Sequence, residues 1–239
     1  MNSLQKRVAY VMSISAEQLR DMVPRQSGIR FTDCPNCETG AQDRADWEWT
    51  PQAPRQIKCK GCGAVYPNNP KYPDDKFIEV AAPEGTHRYH YYEREDGYRI
   101  FFRAAADDLA RVYLAERCRD LARLYATTKE EKYACRAAII LVRFAEVYPT
   151  WAYRFDFPFS QKKFAPYNQN RIPDFDPSRV CRWRSGWCWS ASMDISFELL
   201  ETYDILKSWP GLDRMAGGGA RRMIEEDLLT GMVEFVMGF

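Results

Sequence analysis

The spacing of apolar residues changes character along the chain and divides it into three stretches. Ser15-Ala-Glu-Gln-Leu-Arg-Asp-Met-Val23 predicts a short helix, because Ser15 and Gln18 form a capping box and Pro24 closes it. Residues 28–82 show no sustained period; short strands are expected at Trp47-Glu-Trp49 and Gln56-Ile-Lys58, followed by the turn-rich run Tyr66-Pro-Asn-Asn-Pro-Lys-Tyr-Pro73. Residues 87–103 alternate, with Tyr89, Tyr91 and Tyr92 before the Asp96-Gly97 turn and Ile100 and Phe102 after it, which predicts a hairpin. From Ala104 the period becomes helical. Leu114, Cys118, Leu121 and Tyr125 step by 4, 3 and 4, and Ala134, Ala138, Leu141, Ala145 and Tyr148 step by 4, 3, 4 and 3.

Between those stripes Thr128-Lys-Glu-Glu131 has the form of a capping box, so the two helices should be an antiparallel pair. Two more helices are expected at about 190–208, burying Leu199, Leu200, Tyr203 and Leu206, and at about 219–237, burying Met223, Leu228, Met232, Val233 and Val236. Gly217-Gly-Gly219 separates them. The fold class implied is mainly α, with helical hairpins in an α/α layered or toroidal arrangement preceded by a small β subdomain. The domains read as 1–27, 28–103 and 104–239. The apolar end Met232-Val-Glu-Phe-Val-Met-Gly-Phe239 reads as a surface awaiting more chain.

Charge excludes some function classes. With 34 basic against 33 acidic residues there is no net field to favour nucleic acid. No apolar run is long enough for a membrane span, and the N-terminal stretch lacks the apolar core of an export signal. Neither nucleic acid nor membrane is an expected partner. No phosphate loop, nucleophile elbow or dinucleotide fingerprint occurs. The acidic runs Asp107-Asp108 and Glu225-Glu226-Asp227 read as helix starts or solvated faces, and the histidines His87 and His90 should point to opposite faces of a strand.

Four of the eight cysteines change the picture. Cys34-Pro-Asn-Cys37 and Cys59-Lys-Gly-Cys62 are separated by residues 38–58, close to the spacing of a four-thiolate zinc ribbon. Each Cys-x-x-Cys turn can offer two sulfurs, and two turns complete the tetrahedral site of structural Zn²⁺. Gly63 follows Cys62 where a positive φ would let backbone amides approach the sulfurs. Two disulfides are the alternative, although Cys118, Cys135, Cys181 and Cys188 do not extend the pairs into a disulfide framework. A zinc held by four protein ligands has no position left for substrate, so its role would be structural.

Residues 149–190 combine aromatic rings with an excess of cations, most densely in Arg182-Trp-Arg-Ser-Gly-Trp-Cys-Trp189. Ring faces suit the apolar faces of pyranoses, and guanidinium groups pair with carboxylate or sulfate in two-pronged fashion. Lys162, Lys163, Arg182, Arg184, Trp187 and Trp189 are therefore candidate contacts for an acidic polysaccharide or oligosaccharide. Self-anchoring of a long loop by Arg–Trp stacking accounts for the same composition.

Cys34-Pro-Asn-Cys37 and Ile57-Lys-Cys-Lys-Gly-Cys-Gly63 leading into Val65-Tyr-Pro-Asn68 resemble the N-terminal region of bacterial heparinase II/III-like polysaccharide lyases. So do Leu121-Ala-Arg-Leu-Tyr125, Phe144-Ala-Glu-Val-Tyr-Pro149, and Trp187 to Ile195 followed by Tyr203-Asp204. The resemblance spans roughly residues 15–239. It implies a zinc ribbon, the opening hairpins of an α/α toroid, and a periplasmic or secreted protein. It also implies β-elimination on uronic-acid polysaccharides, with neutralisation of the uronate carboxylate and proton transfer by Tyr or His. No position here matches the catalytic motifs of those lyases, so this chain is read as the N-terminal portion, without catalytic residues of its own. A non-catalytic acidic-glycan-binding or scaffold protein, or a zinc-ribbon adaptor, fits the same residues.

Overall fold

A computed structural model describes residues 3–29, 32–37, 46–82, 85–95, 97, 99–151 and 196–233. The protein is mainly α, with two small antiparallel sheets. It divides into two compact units. A helical unit draws on residues 1–25, 110–149 and 194–237, and a cysteine-bearing unit on residues 26–109 and 150–193.

In the helical unit, α1 is Ser3–Ser13 and α2 is Ala16–Met22. Ser15 caps α2 as its sequence predicts: its side chain accepts from the Gln18 amide at 3.0 Å, and Gln18 returns a bond to the Ser15 amide at 2.8 Å. The long helix α3 (Phe102–Thr128) passes at Lys129 into α4 (Glu131–Val147). The expected capping box between them does not form. Thr128 ends α3, its hydroxyl donating to the Leu124 carbonyl at 2.8 Å, and Glu130 caps α4 without a side-chain bond. Lys129 at φ 60 makes the reversal instead.

The predicted stripes form the core. Leu114, Cys118 and Leu121 of α3 and Ala134, Ala138, Leu141, Ala145 and Tyr148 along and just beyond α4 are buried, while Tyr125 is half-buried. Alanine on α4 leaves room for neighbouring backbones, and the Cys118 thiol donates to the Ala137 carbonyl at 3.3 Å. Helix α4 also packs against α2 and against α5 (Phe197–Leu206), which Ser196 caps through the Leu199 amide. Ion pairs lie along the helices: the buried Asp120 accepts from Arg7 and lies 3.2 Å from the Arg117 guanidinium, and Glu146 accepts from Arg20 and Arg143.

The last described helix differs from expectation. After a turn at Ala216–Gly218, with Gly217 at φ 62, helix α6 (Ala220–Arg222) continues as a π-helix over Met223–Thr230. Its buried residues are Ala220, Ile224, Leu228 and Met232. Met223 is only half-buried and Val233 is exposed, against the expected face. A strict step of four over-rotates an α-helix by about 40° each time. The wider π turn takes up that excess and keeps Ile224 and Leu228 on the buried face of the segment that packs against α4. Val236 lies outside the described residues.

The cysteine-bearing unit contains two three-stranded sheets. Strands β1 (Trp47–Glu48), β2 (Ile57–Cys59) and β3 (Val65–Tyr66) pair antiparallel in that order. Strands β4 (Lys76–Ala82), β5 (Gly85–Glu93) and β6 (Arg99–Ile100) form the second sheet. The predicted hairpin is β5–β6, and β4 adds a partner strand, with Ile78 opposite Tyr89. Tyr89 and Tyr91 alternate inward onto Phe101 and Ala104. The part of α3 up to Leu109 closes this unit's core, where Phe102, Ala105 and Ala106 meet Ile57, Tyr66, Tyr72 and Ile100. Asp107 and Asp108, expected at a helix start or on a solvated face, are buried within α3, and Asp107 pairs with Arg55 at 2.5 Å.

Candidate metal centre

Four sulfurs converge in the cysteine-bearing unit. The sulfurs of Cys34, Cys37, Cys59 and Cys62 all lie within 4.8 Å of one another. Cys34–Cys62 and Cys37–Cys59 are each 3.6 Å apart, so sulfurs of one Cys-x-x-Cys turn meet those of the other. A tetrahedron of zinc–sulfur bonds has edges of about 3.8 Å. The donor set fits a tetrahedral thiophilic cation in number, type and spacing.

The surrounding sequence produces this geometry. Cys59 ends β2, and its amide and carbonyl bond to the Ala64 carbonyl and the Gly63 amide at 2.9 and 2.8 Å, which closes the second turn. Gly63 adopts φ +76 with open space where a Cβ would be, so its requirement is conformational. The Trp47 indole donates to the Thr32 carbonyl at 3.1 Å, tying β1 to the segment that leads into Cys34. In the first turn Asn36 accepts from the Tyr72 hydroxyl at 3.1 Å.

Each turn presents one buried and one exposed sulfur: Cys34 and Cys59 lie in the core, Cys37 and Cys62 at the surface. Burial pushes the Cys34 thiol up to about 12, and raises Cys59 too. Cys62 is drawn down to about 6, first by the Asn36 side chain and then by the Ala64 amide. Burial thus disfavours the thiolate form at Cys34 and Cys59, while hydrogen bonding favours it at Cys62. A bound cation changes this by holding all four as thiolates, so proton release accompanies binding.

One further side chain meets the sulfurs without belonging to a metal-ligand motif. Tyr66 is fully buried, its hydroxyl 3.4 Å from the Cys34 sulfur and its ring stacked on Phe102 with centroids 4.1 Å apart. In the sequence it is the first residue of a turn-rich run. Its strand pairing with Ile57 is what places it beside the sulfurs.

The other sequence candidates fare differently. Lys162, Lys163, Arg182, Arg184, Trp187 and Trp189 lie outside the described residues. The ring of His87 lies 2.6 Å from the Thr150 carbonyl oxygen, a structural contact, while His90 leans on Phe77 across the β4–β5 pair. Among the described residues no other cluster offers a metal-ligating set, and no helix is long and apolar enough to cross a membrane. No family model, curated protein or solved structure matches the chain.

Proposed function

We propose that Cys34, Cys37, Cys59 and Cys62 hold one structural zinc in a zinc ribbon, and that the chain is the N-terminal portion of a polysaccharide lyase. The observation that carries the zinc half is the convergence of four sulfurs within 4.8 Å, two of them buried in the core of their unit. Zinc suits an all-sulfur tetrahedral set with no open position, and that set leaves the ion no catalytic role.

The lyase half rests on the sequence resemblance. The paired helices of the helical unit support it, as they are compatible with the first hairpins of an α/α toroid. The substrate is an acidic polysaccharide containing uronic acid, cleaved by β-elimination with the catalytic groups supplied from outside this chain's motifs. Lys162, Lys163, Arg182, Arg184, Trp187 and Trp189 are the proposed contacts, with cations pairing to carboxylates and indoles covering the sugar rings.

The test is the near-ultraviolet absorbance of the unsaturated uronate end, followed on heparan-type, chondroitin-type and alginate-type substrates with the whole gene product. Appearance of that chromophore supports the lyase reading. Binding of acidic oligosaccharide without the chromophore would make the protein a glycan-binding scaffold. Neither binding nor product, in a protein that holds zinc, leaves the adaptor reading.

A further inference from the structure

We infer that Tyr66 is a positioning residue of the metal centre, its phenolic O–H donating to the Cys34 sulfur and fixing that ligand's orientation. The inference rests on reading the four cysteines as a metal site and adds a fifth side chain to it.

Tyr66 is 0 % exposed, and among the described residues the partner of its hydroxyl is the Cys34 sulfur at 3.4 Å. A buried hydroxyl needs a good acceptor, because it has given up water to enter the core. A neutral thiol is a poor acceptor, whereas a metal-bound thiolate carries charge and accepts strongly. The hydroxyl is therefore matched to the loaded centre. Cys34 itself is buried and far from compensating solvent, so a donor aimed at its sulfur offsets part of the cost of charge there.

Packing makes this contact a fixed one. The Tyr66 ring stacks on Phe102 at an interplanar angle of 13°, meets Trp47 edge-on with centroids 5.8 Å apart, and touches Tyr72 at 6.1 Å. With the ring held on three sides, the hydroxyl can reach only one place. Partners of this kind orient metal ligands, and their loss typically weakens metal affinity by about 10–100-fold.

The experiment compares Tyr66→Phe with wild type and with Tyr89→Phe, which removes a buried hydroxyl bonded to Ser27 in a separate aromatic cluster. Zinc affinity is read by chelator competition, and the sulfur-to-metal charge-transfer bands are read after cobalt substitution. The expected result is a 10–100-fold loss of zinc affinity and shifted cobalt bands for Tyr66→Phe, with neither change in Tyr89→Phe. In wild type loaded with cadmium-113, the Tyr66 hydroxyl proton should exchange slowly and couple to the metal, a readout that does not depend on the variant folding. Unchanged affinity and bands in a folded Tyr66→Phe, or a fast-exchanging uncoupled hydroxyl, would overturn the inference and leave the zinc reading standing. A wild type that binds no metal would remove both.

Discussion

The two units hold themselves together by different means. In the helical unit, regular backbone bonding runs through α4 over Glu131–Val147, and a stripe of Ala and Leu side chains buries one face. The sheet beside the four sulfurs has strands of only two or three residues. Strands so short make few ladder bonds and bury little by themselves. Order there comes from cross-links: indole to carbonyl, phenol to sulfur, ring on ring, and four sulfurs around one point. A helix can be read as a repeating pattern, and its stability is spread along it. A cross-linked unit concentrates stability in a few atoms, and losing those atoms should dissolve it.

The sharpest way to break the comparison is to remove the metal. Structural zinc contributes apparent binding free energies of about 10–16 kcal/mol in small zinc domains. Chelation should therefore abolish amide-hydrogen protection in β1, β2 and β3 while α4 keeps its own, as measured by hydrogen-exchange mass spectrometry. Simultaneous loss of protection in α4 would show that the units are not energetically separate. Lowering the pH should act in the same direction, because protons compete with the cation for the thiolates.

A cavity in the helical unit should act in the opposite place. Leu141 is fully buried on α4. Leu141→Ala should cost about 2–5 kcal/mol by denaturant unfolding, while zinc affinity stays at the wild-type value. A drop in affinity would contradict the division.

Asp107 sharpens the comparison by pH. Burial raises its carboxyl to about 6, although Arg55 pulls the other way. The folded state therefore holds the proton more tightly than the unfolded chain does. Stability contributed by this group is complete below about pH 4 and is lost as pH rises through 6, by on the order of 3 kcal/mol if the burial is not relieved. Asp107→Asn should flatten the slope of stability against pH in that window, in unfolding series on metal-loaded protein. A slope identical to wild type would refute the assignment.

The smallest expected effect is at a cap. Ser15→Ala removes one half of the α2 capping box and should cost about 1 kcal/mol, seen as a small shift in the helical unfolding transition. Zinc content should not change.

The sequence was legible where chemistry or period repeats. The cysteine pairs announced their cluster through spacing alone, and Gly63 announced the turn that closes it. The stripes on α3 and α4 announced their buried faces at every residue named except the half-buried Tyr125. Other features depend on partners that no local pattern names. β4 is ordinary in composition and becomes a strand through pairing with β5, while Asp107 reads as a solvated acid until Arg55 and the core close over it. Thr128 matches a capping box, but its hydroxyl serves the end of α3 instead. On the fourth helix Leu228 and Met232 are buried as the sequence predicts, while Met223 and Val233 leave the buried face because a π turn sets a different phase from an α-helix. Tyr66 lies in the Val65-Tyr-Pro-Asn68 stretch, but a phenol beside a thiolate carries no spacing rule, so its contact with Cys34 is not legible there.

The most direct test of the account is metal stoichiometry, by native mass spectrometry of wild type and Cys59→Ser purified without added chelator. The account predicts one zinc per wild-type chain, lost or greatly weakened in Cys59→Ser, with all four cysteines alkylated only after the metal is stripped. A wild-type chain without metal would contradict it, and paired cysteines that resist alkylation until reduced would make the four sulfurs a pair of disulfides instead.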